Sequence, residues 1–446
     1  MSESIRFRLP HPLILLLIAV LVAAALTWIL PAGEYNRRDD PVTHRSVVVA
    51  GTYHAVPRSP VGLFAAAVSV PRGFVEAADV IAVIFFVGGA WVVVDRLGTL
   101  GRMVGALVGA FRGRGLIAIP AISAFFAAMG ALENMQEEII PLVPVLLVLG
   151  RGLGIDAVSV VAMSAGAAMI GSAFGPTNPF QAGIALKLAQ LPVTTAIALR
   201  IVMFALAFVL WVGWTMRYAS KRRTLVAPAG EAEPPARVSA KDVAILVVVV
   251  SPMAAYVYGS VALGWGFNEL SAGFFIGAVI AGLWGGLGAE GTTVAYLEGM
   301  QSLVPAALLI GIARSISLVL SGGHVIDTIL EGLATPLSHA PASAAALLMI
   351  PAHAIVHVFV PSVSGQAVLT MPVFVPLADL LGISRLVTVF AYQMGAGLCE
   401  LLTPTNGAMM AVLLAAGVPY QKWLRFALAG AGLVLIVGVG GMLFTL

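Results

Sequence analysis

Apolar runs long enough to cross a bilayer recur along the whole chain, and no other feature limits its fold so tightly. Residues 13–30, 80–94, 116–132, 194–214, 243–257, 272–284, 303–320, 344–359 and 423–444 carry little or no charge. A spanning helix needs about 20 such residues. Only 10% of the chain is charged, against roughly 25% in soluble domains. Water cannot solvate most of this surface, so the fold class is an all-α polytopic membrane protein. A transmembrane β-barrel is excluded, because it would show alternating segments of about 10 residues. The net charge of +3 is scattered over loops and offers no nucleic-acid surface. Cys399 is the single cysteine, which excludes an intrachain disulfide and a cysteine-held metal centre.

Polar segments set the orientation. The apolar stretch after Arg6 and Arg8 is longer than a signal-peptide core, and its small-residue site at Ala23-Ala24-Ala25 lies inside the run. A retained first helix over 1–30 is therefore expected. Residues 31–76 form a charge-balanced external loop with an interfacial piece. The segment 97–111, closed by Arg112 and Arg114, is expected along the inner interface. Residues 217–241 form a linker carrying Arg217, Lys221, Arg222, Arg223, Arg237 and Lys241. Six basic residues mark it, and with it the N-terminus, as cytoplasmic.

Two polar, helix-breaking knots interrupt the apolar pattern. Gly175-Pro176-Thr177-Asn178-Pro179 and Leu402-Thr403-Pro404-Thr405-Asn406-Gly407 stand 228 positions apart (404 minus 176). At that offset Pro144 meets Pro372, and Leu153-Gly154-Ile155 meets Leu381-Gly382-Ile383. The pattern predicts two repeats, over 77–216 and 242–446. Each contains a re-entrant hairpin (133–152, 361–382) and a broken helix (157–190, 385–416). An extra crossing precedes the first repeat, whereas the second follows the cytoplasmic linker, so the repeats are inverted. Inverted repeats with broken helices characterise secondary transporters.

The breaks and hairpin tips carry the candidate chemistry. Proline removes a backbone donor and opens the helix. Freed carbonyls, helix termini and the side chains of Thr177, Asn178, Thr403, Thr405 and Asn406 then suit a hard cation or an anionic substrate group. A plain proline kink is the alternative. At the second tip, Ser362 and Ser364 offer hydroxyls and Gly365 permits close backbone approach. At the first, Asn134 sits among Glu133, Glu137 and Glu138, with Glu400 beside the second break. Carboxylates at membrane depth are functional hypotheses. On a helix, Glu133, Gln136 and Glu137 would share a face. They could hold a proton, bind a cationic substrate, or cap a helix at the interface. His353 and His357 are spaced i, i+4 without a third ligand, so packing or pore lining is expected rather than a metal. Arg314 pairs with a carboxylate, snorkels or meets a substrate carboxylate. An intramembrane enzyme would need a nucleophile and base that the sequence does not group. A channel would not need two hairpins.

Pro361-Ser362-Val363-Ser364-Gly365-Gln366-Ala367 and Leu369-Thr370-Met371-Pro372 resemble the YfcC branch of the anaerobic C4-dicarboxylate carrier (DcuC-like) family. Residues 376–385, Glu137-Glu138 with Pro141 and Pro144, Asn178-Pro179-Phe180 and Pro31-Ala32-Gly33-Glu34-Tyr35 also fit. The resemblance covers almost the full length. It implies the ion-transporter superfamily: a homodimer in the bacterial cytoplasmic membrane, with a scaffold and an elevator-like transport domain. It also implies ion sites at Asn134 with Thr177-Asn178, and at Ser362/Ser364 with Thr405-Asn406. No cofactor is expected beyond sodium or a proton as coupling ion. Ala396 stands where relatives carry an aspartate. Four carboxylates lie near the breaks (Glu133, Glu137, Glu138, Glu400), with Lys187 the nearest cation. They favour a substrate with a positive group, an amino acid (a basic one included) or a peptide-like zwitterion. A C4-dicarboxylate is the alternative.

Overall fold

The computed structural model describes residues 10–43, 45–110, 115–222 and 238–446. Arg6, Arg8, Arg112, Arg114 and residues 223–237 of the expected linker lie outside the described residues.

Helix α1 (Pro12–Ile29) starts at His11, whose Nδ1 accepts a hydrogen bond from Leu13 N at 3.2 Å, with Pro12 at the first helical position. The polar segment after it, expected as a loop, forms two antiparallel ribbons. Strand β1 (Gly33–Glu34) pairs with β4 (His54–Ala55), and β2 (Arg37–Asp40) with β3 (Arg45–Val48). Sequence alone missed them because β2 lacks an apolar alternation, with three of its four residues exposed. Then come α2 (Leu63–Glu76), α3 (Ala78–Arg96), α4 (Thr99–Ala110), α5 (Ala118–Glu133) and α6 (Val143–Leu153). The first broken helix comprises α7 (Ala157–Val161), α8 (Ala167–Phe174) and α9 (Ile184–Leu188), with π-helical turns at Ala162–Gly166 and Pro179–Gly183. Helix α10 (Ile197–Ser220) absorbs Arg217, which sequence had assigned to the linker.

The second half runs through α11 (Ala240–Ala262), α12 (Phe267–Gly285), α13 (Gly288–Ser302), α14 (Val304–Gly322), α15 (Ile326–Leu337), α16 (Ala342–Phe359) and α17 (Val363–Leu380). Helix α18 (Arg385–Tyr392), a π-helical turn at Gln393–Gly397 and α19 (Gly407–Ala415) make the second broken helix, before α20 (Tyr420–Thr445). Among the described residues, 11 helical stretches are long and apolar enough to cross a membrane. The chain is a multi-span membrane protein. Apolar side chains such as Ile201, Val209, Ile436 and Phe444 stand exposed on its outer face, as lipid-facing residues should.

Both hairpins are longer than expected. Gly115 lies against the Leu153 carbonyl, so residues 115–153 fold back on themselves around a tip at 134–136. The apolar run 116–132 is thus the first arm of that hairpin. Likewise α16 is the first arm of the second, because His353 packs on Phe374 of α17 with ring centroids 4.6 Å apart. At the offset of 228, local geometry repeats. Gly154 and Gly382 both take positive φ (72° and 68°), which a side chain would strain. Ile155 N donates to Gly150 O, and Ile383 N to Ala378 O, each at 2.8 Å. Asp156 and Ser384 then cap the broken helices. At the same offset α1 falls on α11, α2 on α13 and α3 on α14, and the ribbon falls on α12.

Helices α1–α3 and α11–α14 pack mainly with one another, as do α5, α7–α10, α16–α18 and α20, whereas α19 packs chiefly on α14 of the first group. Within the second group, small residues permit close crossings. A Cβ on Gly171 would meet Ala127 O at 2.0 Å, and one on Gly130 would meet Ala168 O at 1.9 Å. Helices α5 and α8 therefore touch backbone to backbone, as membrane helices with small residues do. Gly171→Leu is expected to abolish a monodisperse folded protein in fluorescence-detected size exclusion. Gly105→Ala, whose Cβ meets nothing within 4 Å, should be neutral or stabilise by up to about 1 kcal/mol.

Candidate functional site

The first broken helix ends at Gly175, and the backbone does not resume helical geometry until Asn178, which caps the π-helical turn at Pro179–Gly183. Asn178 Oδ1 accepts from Phe180 N at 2.9 Å and Gln181 N at 2.7 Å. Its Nδ2 donates to Gly130 O at 2.8 Å and lies 3.3 Å from Asn134 Oδ1. Ser172 Oγ also bonds Asn134 Oδ1. Fully buried Asn178 therefore ties the break to the first hairpin tip. At the equivalent position in the second half, Asn406 Oδ1 accepts from Met409 N at 3.0 Å and caps α19.

Asn134 terminates α5 with φ 61°, a left-handed conformation that asparagine tolerates. The chain then turns, so Glu133, Gln136 and Glu137 do not share a helical face as expected. They nevertheless line one cavity. Its volume is about 400 Å³, toward the lower end of the ~300–1,000 Å³ typical of small-molecule pockets. Asn134, Ser362, Ser364, Glu400 and Asn406 line it too, so both tips and the second break open onto the same space.

Other expected site residues lie elsewhere. Thr177 is exposed in the first break, away from the residues that line the cavity. Thr403 and Thr405 are buried and bond each other at 2.7 Å, bracing the break itself. Gly365 sits in the first turn of α17, where its N–H donates to Ser362 Oγ at 3.3 Å. A Cβ there would come within 3.1 Å of Ser362 Oγ. Buried Glu138 accepts from Gln136 N at 3.1 Å and shapes the tip from behind. Lys187 is exposed at the end of α9.

A buried polar chain joins the two tips. Gln136 Nε2 donates to Glu400 Oε2 at 2.5 Å, and the other Glu400 oxygen lies 3.8 Å from His357 Nε2. His357 Nδ1 meets Gln366 Oε1 at 2.8 Å, while Gln366 Nε2 donates to His353 O at 2.7 Å. His353 stacks between Phe374 and Tyr392. Sequence spacing had linked the two histidines to each other. Instead, His357 faces Glu400.

Cations reach the cavity from two directions that the sequence did not connect. Arg314 of α14 pairs with Glu76 at 3.2 Å. Arg45 of β3 also lines the wall. Its ribbon is fastened to α15, where Asp327 accepts from Tyr35 N at 2.9 Å and pairs with Arg37 at 2.9 Å. Burial pushes the Asp327 carboxyl above the usual carboxylate range even beside Arg37. Burial, together with the hydrogen bond to Glu331, also raises the Tyr35 phenol. For sodium, the Asn134–Asn178 and Ser362–Asn406 pairs offer oxygens that already accept hydrogen bonds. Among the described residues that line the cavity, Glu133 Oε2 is a buried acceptor without a hydrogen-bond partner.

Residues 9–446 match the family described as the C4-dicarboxylate anaerobic carrier, DcuC. The chain belongs to this family. It is a transporter of the DcuC/YfcC kind, made of membrane helices around a buried polar cavity. Its relatives include the Escherichia coli (strain K12) protein named "Putative basic amino acid antiporter YfcC", 29% identical over 97% of this chain and 95% of that one. An uncharacterized Haemophilus influenzae protein is 27% identical over 97% and 96%. Among solved structures, the Alcanivorax borkumensis YdaH transporter aligns with a TM-score of 0.46 at 17% identity, covering 98% of each chain. Neisseria gonorrhoeae MtrF, from a class of antimetabolite efflux pumps, aligns with a TM-score of 0.43 at 17% identity, covering 97% and 94%.

The hydrogen bonds of Asn178 give this DcuC-family site its first testable property. Asn178→Ala removes a cap, leaves the Phe180 and Gln181 N–H groups without this acceptor and cuts the tie to Gly130 O, which keeps its bond from Asn134 N. It should destabilise the protein by about 2–4 kcal/mol, read as a lowered midpoint in a detergent thermal melt.

Proposed function

We propose that the chain is a secondary active transporter of the bacterial cytoplasmic membrane whose substrate is a small amino acid bearing a positive group, a basic amino acid foremost. The observation that carries this reading is the charge of the cavity. Glu133, Glu137 and Glu400 line it together with Glu76 and Asp79, and buried Glu133 Oε2 lacks a partner. Against these stand two guanidiniums, one already paired with Glu76. A substrate ammonium or guanidinium would complete the hydrogen bonding of the tips, since buried carboxylates need paired charge. The name of the Escherichia coli relative points the same way. The family's description and the presence of Arg45 and Arg314 on the cavity wall favour a second reading, a C4-dicarboxylate substrate.

Alternating access in this proposal comes from movement of the α5–α10, α16–α18 and α20 group against the α1–α3 and α11–α14 group, in the elevator manner, with the α14–α19 contact as the surface that slides. The repeated caps at Asn178 and Asn406, and the repeated turns at Gly154 and Gly382, support two inverted repeats. A homodimer with cytoplasmic N-termini, driven by exchange or by a sodium or proton gradient, completes the proposal.

Uptake of labelled arginine, ornithine, succinate and fumarate into proteoliposomes separates the two substrates. Arginine or ornithine uptake, accelerated by the same solute on the opposite side, is expected. Succinate transport without amino-acid transport overturns the proposal. Ser364→Ala and Asn406→Ala should each raise the apparent KM roughly 10- to 100-fold or abolish transport, the worth of one hydrogen bond to a charged group. Unchanged kinetics in both would falsify the site.

A further inference from the structure

Arg45 has no place in the substrate reading above, which accounts for the carboxylates and leaves this cation over. In β3, Arg45 is half-buried, Ser46 exposed, and Val47 and Val48 buried. Strand β3 packs along α17, the arm that begins at the Ser362–Ser364 tip. Arg45 thus lines the cavity from a segment outside the membrane helices.

One oxygen of its natural partner is taken by another residue. Asp40 stands opposite Arg45 in the ribbon register. However, Asp40 Oδ2 accepts from Thr43 N at 2.7 Å and from Thr43 Oγ1 at 2.6 Å. The Thr43 hydroxyl holds the Asp40 carboxyl below its usual range. Among the described residues, no hydrogen bond or ion pair engages the Arg45 side chain, although Arg37 of the same ribbon and Arg314 of the same cavity are both paired. Ser364, on the same wall, also has a hydroxyl without a protein partner. A fork of five donors left free in a cavity is suited to a bidentate carboxylate.

We infer that Arg45 is the carboxylate subsite of the cavity: it binds the α-carboxylate of the substrate while the acidic hairpin tips bind its cationic groups. The inference rests on the amino-acid reading above and deepens it. Substrate choice then has two poles. The tips select for positive charge, and the ribbon selects against amines that lack a carboxylate.

Agmatine, which is arginine without its α-carboxylate, is the probe. In proteoliposomes the wild-type protein should prefer arginine to agmatine by roughly 10- to 100-fold in kcat/KM, one charge-assisted bidentate contact. Arg45→Gln should bring that ratio to about 1 by raising the arginine KM, and Arg45→Lys should restore part of it. Retained agmatine uptake shows that the variant is folded. An unchanged ratio in Arg45→Gln, or equal loss of both substrates in Arg45→Gln and Arg45→Lys, overturns the subsite while leaving the amino-acid reading intact. A wild-type protein that moves succinate but neither arginine nor agmatine overturns that reading, and the subsite with it.

Discussion

A helix broken inside a bilayer exposes backbone N–H and C=O groups that lipid cannot satisfy, and much of this structure is arranged around that demand. Asn178 and Asn406 supply acceptors to the N–H groups where the helices restart. Tryptophan and tyrosine supply donors to the carbonyls left behind. Trp211 donates to Ala162 O within a π-helical turn at 2.9 Å, and Trp423 donates to Leu401 O at 2.8 Å. Tyr420 donates to Leu402 O. Because Trp211, Trp423 and Phe426 also pack edge to face or tilted on one another, one aromatic cluster braces both broken helices. The irregular backbone is held by α10 and α20, the long helices that come after each break.

Those bonds require a close approach that bulky residues would prevent. Gly130, Gly171 and Gly175 bring α5 against α8, which lets the Asn178 amide reach Gly130 O and the Asn134 tip. Gly397 lies against Ala173 and Gln181, so the two broken helices also meet each other. The Gln181 amide spans that meeting, accepting from Gly397 N at 3.2 Å and donating to Ser172 in the orientation that satisfies both ends. Small residues allow the contact, and amides make it specific. The carboxylates at the tips are then fixed by backbone packing several residues away, which is how a flexible acidic turn becomes a defined cavity wall.

How much of this the sequence disclosed depended on whether the signal was local. The 228-residue register identified Asn178 with Asn406 and Asn134 with Ser362, because a capping residue and a turn glycine leave a local signature. Hydropathy located the spans, since burial in lipid acts on every residue of a run. Hydropathy did not join the runs 116–132 and 344–359 to the hairpins, because an apolar helix looks the same whether or not the chain turns back after it. Thr177 was assigned to the site from its motif, yet the break turns it outward, and a motif does not encode side-chain direction. His357 with Glu400, and Arg45 with the cavity, come from residues far apart in the chain. Neither pairing has a periodicity to reveal it. The ribbon itself was hidden by exposed, charged strands that hold together through α15 rather than through an apolar face of their own.

The ribbon also bears on why the two halves of the chain differ. At the 228-residue register it falls opposite α12, so the first half carries a polar strap where the second half carries an apolar helix. If the strap stays outside the bilayer, the halves differ by one crossing. Helices α3 and α14 then enter from opposite faces, as inverted repeats require. The same exchange changes what the cavity can contain. An unpaired arginine in the middle of a membrane helix is costly to insert, whereas Arg45 is carried on a polar ribbon that is part of no candidate membrane span. Arg314, which does lie in a membrane helix, is neutralised by Glu76. Arg45 escapes that requirement, and it leaves the cavity one free positive group among its carboxylates.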